Sequence, residues 1–311
     1  MSEKDFDEIR KVQMAAWIDY SAGIGQPRKI KPRTDLSLKS YQKGDPEGCF
    51  VAKDGEKIVG SIFSHTWGIV GWFGPFEVLP EYQNKGIGRM LIDASLAYLQ
   101  KSGCETIGLE TMPESKKNLQ LYIKYGFWPV GLTIIMSKIL TERRDAEVKK
   151  AGTEFRVFDL SETEKAAALK AIRRISNSTH HGLDYTKEII IAERYELGKT
   201  LLLTKGKMIV GFALLYTYPI VEGLERATVR ILVIESRHAS EEAFFTLLSK
   251  CERTAEKAGK KEISLGFYSC SGVPIRSLLS AGYPIAVCLV RMILKGETGE
   301  ADALHFSRWS G

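Results

Sequence analysis

Apolar residues at Phe6, Ile9, Met14 and Trp17 recur near helical spacing until Gly23, Gly25 and Pro27 break the run, which predicts one amphipathic helix at the start. An irregular stretch is expected from there to Gly48. Two apolar runs, residues 50–52 and 57–63, flank the turn-forming pair Asp54-Gly55 and predict a β-hairpin. A strand follows at 76–78 and a loop from Pro80 to Gly86. Then comes a helix whose buried face carries Ile87, Met90, Leu91, Ala94, Leu96 and Leu99, and which stops near Gly103. Residues 106–109 read as a strand, 119–125 as a helix closed by Gly126, and 134–136 as a last strand. This half is mixed α and β.

Residues 141–150 are so densely charged that they can bury little, which suits a linker or an exposed connecting helix. Beyond them the pattern begins again. The run from Lys207 to Gly211 echoes that from Lys57 to Gly60, and Ala281-Gly282-Tyr283 echoes Tyr125-Gly126-Phe127. Gly126 and Gly282 stand 156 positions apart, and so do Met136 and Met292. Self-similarity at domain length implies two like folds rather than a solenoid. The chain's 311 residues suit two cores, since domains commonly run to ~150 residues. The expected division is a first domain at 1–140, a linker at 141–153, a second domain at 154–296 and a tail at 297–311.

Composition narrows the function classes. Apolar residues at 44% and charged residues at 26% are ordinary globular usage. The opening lacks the apolar core of a signal peptide, and no run approaches the ~20 apolar residues of a membrane helix, so a cytoplasmic location away from membranes is expected. Five isolated cysteines without a C-x-x-C pair suggest buried thiols rather than bridges or metal ligands. The net charge of +6 is spread along the chain, so no nucleic-acid partner is expected. The basic run at 28–33 has no interleaved aromatics for base stacking and reads as a solvated loop. A monomer or a homodimer is expected.

The candidate chemistry lies in the loop between Val78 and Arg89. A helix N-terminus presents unpaired N–H groups and partial positive charge, and glycines let backbone approach a phosphate closely, so Gly86 and Gly88 make an anion cradle. The letters fit neither Walker A, which needs Gly-Lys-Ser/Thr, nor the Rossmann fingerprint, which needs a small residue where Leu91 stands.

With Val78-Leu79-Pro80 before it and Leu121-Tyr122-Ile123-Lys124-Tyr125-Gly126-Phe127 after it, the segment Gln83-Asn84-Lys85-Gly86-Ile87-Gly88 closely resembles the pyrophosphate loop of the GNAT superfamily of N-acetyltransferases. The resemblance covers about residues 36 to 139, and the second half resembles the same fold more loosely. It implies two tandem domains, each a central, mixed, mostly antiparallel sheet flanked by helices, with acetyl-CoA in a gap where the first sheet splays open. Carried over, the backbone at Val78 and Leu79 would pair with the pantetheine arm. Gln83, Asn84, Lys85, Gly86, Ile87, Gly88 and Arg89 would hold the pyrophosphate, and Ser115 or Asn118 would contact pantetheine. Tyr122 matches the family tyrosine near the cofactor sulfur. The implied reaction is direct attack of an unidentified amine on the thioester, with no metal and no covalent cysteine. Tyr122, of ordinary pKa ~10, suits the acid that protonates the leaving thiolate. Glu77 and Glu110 are the candidate bases for an amine that is mostly protonated at neutral pH. For each of them an exposed strand carboxylate is the alternative.

Other reactive-looking groups read as structural. His180-His181 lacks the i, i+4 spacing of a helical metal site and reads as a solvated helix end; His65 and Cys104 read as packed. Anchoring the repeat at Val78 against Val233 sets His238 at Gln83, Glu241 at Gly86 and Ala243 at Gly88, while the offset of 156 sets Leu278 at Tyr122. A carboxylate then stands where a phosphate should bind, so the second half is expected to be degenerate. An acyl-CoA sensor or a purely structural protein is the alternative to an enzyme.

Overall fold

The computed structural model describes residues 1–140, 160–270, 272–297 and 304–307. The expected linker lies outside them. The first half runs α1 (Phe6–Gly23), α2 (Asp35–Gly44), β1 (Cys49–Asp54), β2 (Lys57–Trp67), β3 (Val70–Val78), α3 (Ile87–Lys101), β4 (Thr106–Thr111), α4 (Lys116–Lys124) and β5 (Trp128–Ile139). The second runs α5 (Glu162–Thr179), α6 (Thr186–Arg194), β6 (Gly198–Lys205), β7 (Met208–Tyr216), β8 (Arg226–Ile234), α7 (Glu241–Lys257), β9 (Glu262–Tyr268), α8 (Ile275–Ser280), β10 (Ile285–Lys295) and β11 (Leu304–Ser307). Helix α2 corrects the irregular stretch expected before Gly48. Its signal was present in Thr34, whose side chain caps the helix by accepting from the Ser37 N–H, but the helix is only 10 residues long and buries Leu38 and Tyr41 on a narrow face.

Both halves fold by the same logic. β3 and β8 start at Val70 and Arg226 and β4 and β9 at Thr106 and Glu262, 156 positions apart in each case. The Phe127 N–H closes α4 on the Tyr122 carbonyl, as the Tyr283 N–H closes α8 on that of Leu278, both at 3.0 Å. The duplication read from the sequence thus reappears in these strand starts and in the bond that closes each short helix.

The two sheets are not separate. Neighbouring strands run β1-β2-β3-β4-β10-β5-β9-β8-β7-β6, with β11 beside β8. β10, from the second half, lies antiparallel between β4 and β5, and β5, from the first, lies antiparallel between β10 and β9. Each half thus lends its last long strand to the other. Met292 on β10 packs fully buried with Leu109, Tyr122 and Phe127 of the first half, while Ile134 and Met136 on β5 pack with the core around α7.

A buried ion pair crosses this junction. Arg291 on β10 reaches Glu110 on β4 through Nη2 at 2.9 Å and Thr133 on β5 through Nε at 3.2 Å, with its guanidinium against the rings of Trp72 and Tyr268. Thr133 also donates to Glu110. The two charged side chains are 2% and 0% exposed, so removing one partner strands the other in a low-dielectric interior. Arg291→Leu is expected to destabilise the chain by about 3 to 5 kcal/mol, read as a lowered urea midpoint at unchanged slope.

Candidate active site

β3 and β4 run parallel only from Val70–Trp72 against Thr106–Gly108. Beyond that the strands part, leaving a gap between the end of β3 and the end of β4. A bulge sets which side chains look into it. Ile62 pairs with Phe76 but Ser64 with Phe73, so β3 carries one extra residue there. Phe73 and Val78 therefore share the α3 face despite an odd separation, and Glu77 is turned to the opposite face, toward α1. There the indole N–H of Trp17 donates to Glu77 Oε1 at 3.2 Å and Arg33 Nη2 meets the same oxygen at 2.6 Å. The exposed strand carboxylate considered for Glu77 is corrected: its side chain is 3% exposed. Arg33 likewise corrects the solvated-loop reading, which holds only for Arg28, Lys29 and Lys31.

Tyr122 enters the gap from α4, edge-on to Phe73 and Phe127. Burial first, and the Glu77 charge second, raise its pKa well above that of a free tyrosine. The hydroxyl therefore stays protonated through the neutral range. Glu110 is different. Tied to Arg291 and Thr133, it is a structural anion of the sheet junction, which corrects the exposed-carboxylate alternative and leaves little of it for proton transfer.

At the mouth of the gap, α3 begins at Gly86, held at φ +87, with no side chain capping its first N–H groups and no acidic residue in its first turn. A Cβ on Gly88 would lie 3.2 Å from the Phe76 ring, so glycine lets α3 pass tightly over the end of β3. Asn84 also takes a positive φ, of 62°, which asparagine tolerates better than most residues. Gln83 donates to the Val78 carbonyl and accepts from Lys117 Nζ, linking β3 to α4. Lys85 lies over the Tyr82 ring and Arg89 is exposed beside it. Ser115 caps α4 through the Asn118 N–H, with both side chains half-buried at the α4 side of the gap. A free helix N-terminus ringed by Lys85, Arg89 and Lys117 suits a diphosphate, and the unpaired end of β3 suits an extended amide-bearing arm.

The second half closes the equivalent places. Helix α7 starts at 241, two residues early on the 156 offset, capped by Ser240, whose hydroxyl accepts from the Ala243 N–H at 3.1 Å, with Glu241 and Glu242 in its first turn. The same offset puts Glu242 at Gly86 and the fully buried Phe244 at Gly88. This replaces the register anchored on Val233, because β8 ends at 234, α7 at 257 and β9 starts at 262, each 156 positions after its counterpart, and α7 merely gains two residues at its start. Where β8 leaves β9 after Val229, the gap holds β11, which pairs with β8 from Ile231 to Ile234. Leu278 stands at the position of Tyr122.

The remaining residues fall as structural groups. His65 Nε2 lies 2.6 Å from the Gly74 carbonyl, and burial lowers its pKa. Cys104 is buried, and burial pushes its thiol up to about 11. Of the five free thiols, Cys270 is exposed and Cys288 partly so, against the expectation that all are buried. His181 is exposed as expected, but His180 is buried at the end of α5.

Residues 8–127 match the model of the acetyltransferase (GNAT) family. The match covers the first half of the chain, including β1 to α4 and the loop before α3. The chain's whole fold is shared with a putative acetyltransferase of Pyrococcus horikoshii, at a TM-score of 0.69 and 17% identity over 100% of this chain and 93% of that one. A tandem GNAT protein of the clavulanic acid biosynthesis pathway matches 96% of this chain and 98% of its own at a TM-score of 0.57 and 12% identity. The chain thus shares the fold of these two proteins over nearly its whole length. Among curated proteins it resembles a mycothiol acetyltransferase of Geodermatophilus obscurus, 33% identical over 101 residues, which are 30% of this chain. It also resembles N-alpha-acetyltransferase 30 of Schizosaccharomyces pombe, 28% identical over 87 residues, or 26% of this chain. The matched segments span 33% and 58% of those two proteins. No described helix is long and apolar enough to cross a membrane.

Proposed function

We propose that the first half transfers an acetyl group from acetyl-CoA directly to an amine, and that the second half binds no cofactor. The observation that carries this reading is the contrast between two homologous gaps in one chain. One has an uncapped, glycine-lined helix end and a buried tyrosine; the other has a capped acidic helix end, a strand in the gap and a leucine. Both named relatives are acetyltransferases, which agrees with the reading.

In this reading the N–H groups at Ile87, Gly88 and Arg89 hold the diphosphate, with Lys85 and Lys117 beside it. Val78 and Leu79 pair with the pantetheine arm, and Ser115 and Asn118 line it. Acetyl-CoA supplies the activated acyl group. Glu77 orients the incoming amine and takes its proton, directly or through water, and Tyr122 delivers a proton to the departing sulfur. Retention of Tyr122 favours transfer over a sensor, which needs the cradle alone.

Titration calorimetry with acetyl-CoA is expected to give one site per chain, and a stoichiometry of two contradicts the reading. Gly86→Glu places a carboxylate at the cradle and is expected to lower affinity by at least about tenfold, or 1.4 kcal/mol. Gly86→Asn, which tolerates positive φ without charge, should lose much less. Release of free CoA thiol across a broad panel of amines tests transfer itself. Tight binding with no turnover on any amine would favour the sensor.

A further inference from the structure

The acceptor of this proposed reaction is legible in the ion pair between Arg33 and Glu77, and its assignment rests on the transfer reading. The two side chains meet at one point only. Nη2 holds Oε1, to which Trp17 also donates, while Arg33 Nη1 and Glu77 Oε2 are both buried without a hydrogen-bond partner. The hydroxyl of Ser61, which pairs across from Glu77 in β2, is a third buried polar atom without one. An arginine and a carboxylate placed for stability alone gain most from two parallel bonds. Here one donor and one acceptor of the pair are left over, a costly arrangement in a protein interior.

We infer that this is a two-point acceptor site for an α-amine whose neighbouring carbon carries a carboxylate or carbonyl oxygen, as in a free amino acid or the first residue of a peptide. The amine takes Glu77 Oε2, where its proton is removed, and the oxygen takes Arg33 Nη1. A polyamine or a lysine side chain lacks the second group. The two side chains are 10% and 3% exposed, so the acceptor reaches them by turning the guanidinium, held at a single nitrogen, outward. The second half positions this device. The Thr34 N–H donates to the Ile220 carbonyl, the Thr34 hydroxyl to that of Pro219 and the Glu222 N–H to that of Pro32, each at 3.0 Å, with a β-bridge between Arg33 and Val221. The half without a cradle thereby sets the acceptor side of the half that has one.

The test compares transfer to matched sets, each an α-amino acid, its carboxamide and its decarboxylated amine, for alanine, leucine, phenylalanine, lysine and glutamate. The acid or the amide is expected to exceed the amine by at least about tenfold in kcat/KM, because a site built to bind an oxygen penalises its loss. A preference for the acid identifies free amino acids and one for the amide identifies peptide N-termini. Because decarboxylation also changes the amine pKa, the decisive comparison is Arg33→Gln, in which the preference should fall to within about twofold at unchanged acetyl-CoA affinity. Should Arg33→Gln fail to fold, Arg33→Lys, which keeps the charge but not the fork, is read in its place. Decarboxylated amines that serve equally well, or a preference that survives in the variant, overturn the acceptor class while leaving transfer intact. Failure of every amine of any kind counts instead against the transfer reading.

Discussion

The excised first half, residues 1–140, is expected to bind no acetyl-CoA and to lack a cooperative unfolding transition. The reason lies in the strand order. Among the described residues β5 pairs only with β9 and β10, both from the second half, and β4 loses β10 and keeps three residue pairs with β3. The core under the cradle loses Met292, and Glu110 is left buried without Arg291. An unpaired buried charge alone removes about 3 to 5 kcal/mol, which is comparable with the whole stability of a typical domain at about 5 to 15 kcal/mol. The bare edge of β4 would also invite aggregation. Circular dichroism through a urea titration checks the folding and calorimetry checks the binding. Co-expression of residues 1–140 with 154–311 is expected to restore both, since each piece then finds the strand it lacks. A stable, cofactor-binding fragment 1–140 would mean that β5 can fold back beside β4, and that the exchange is dispensable.

Tyr122→Phe is expected to lower kcat by ~10²- to 10⁴-fold, the usual contribution of general acid catalysis, or roughly 3 to 5 kcal/mol of barrier. The ring contacts with Phe73 and Phe127 survive the change, so acetyl-CoA affinity should stay within about twofold and the loss should appear in turnover rather than in KM. The pH dependence comes from the direction of the shift. Burial and the charge of Glu77 both disfavour the phenolate, so the proton donor persists through the neutral and mildly alkaline range, and an alkaline fall in rate below pH ~10 belongs to another group. The same shift favours the folded state below the ordinary tyrosine pKa of ~10, and that contribution fades only as pH rises above it. Normal turnover by Tyr122→Phe, with an acceptor found by screening, would make the residue a packing group.

Much of this protein was legible in the chain. Local signals were strong wherever one element satisfied its own physics: the turn pair Asp54-Gly55 between β1 and β2, and the apolar stripe along α3, from which Met90, expected on the buried face, departs at 66% exposed. The duplication was readable from Gly126 and Gly282, each of which adopts a positive φ just after a short helix. The difference between the two loops was also visible in the letters, with Glu242 standing 156 positions after Gly86.

The remaining features depend on partners far away in sequence. Alternation along β3 would have turned Glu77 to the face of Phe73, and only the bulge against β2 turns it toward Trp17 and Arg33. Glu110 became a structural anion because Arg291 arrives from 181 residues away. Neither the exchange of β5 and β10 nor the strand that fills the second gap has a local signal, since a strand's pattern states which face is buried but not which neighbour it pairs with. Local chemistry along the chain was enough to specify two like folds and one glycine-lined, uncapped helix start. Which strands complete each fold, and which partners Glu77 and Glu110 meet, were set by pairing energies that only the assembled sheet makes available.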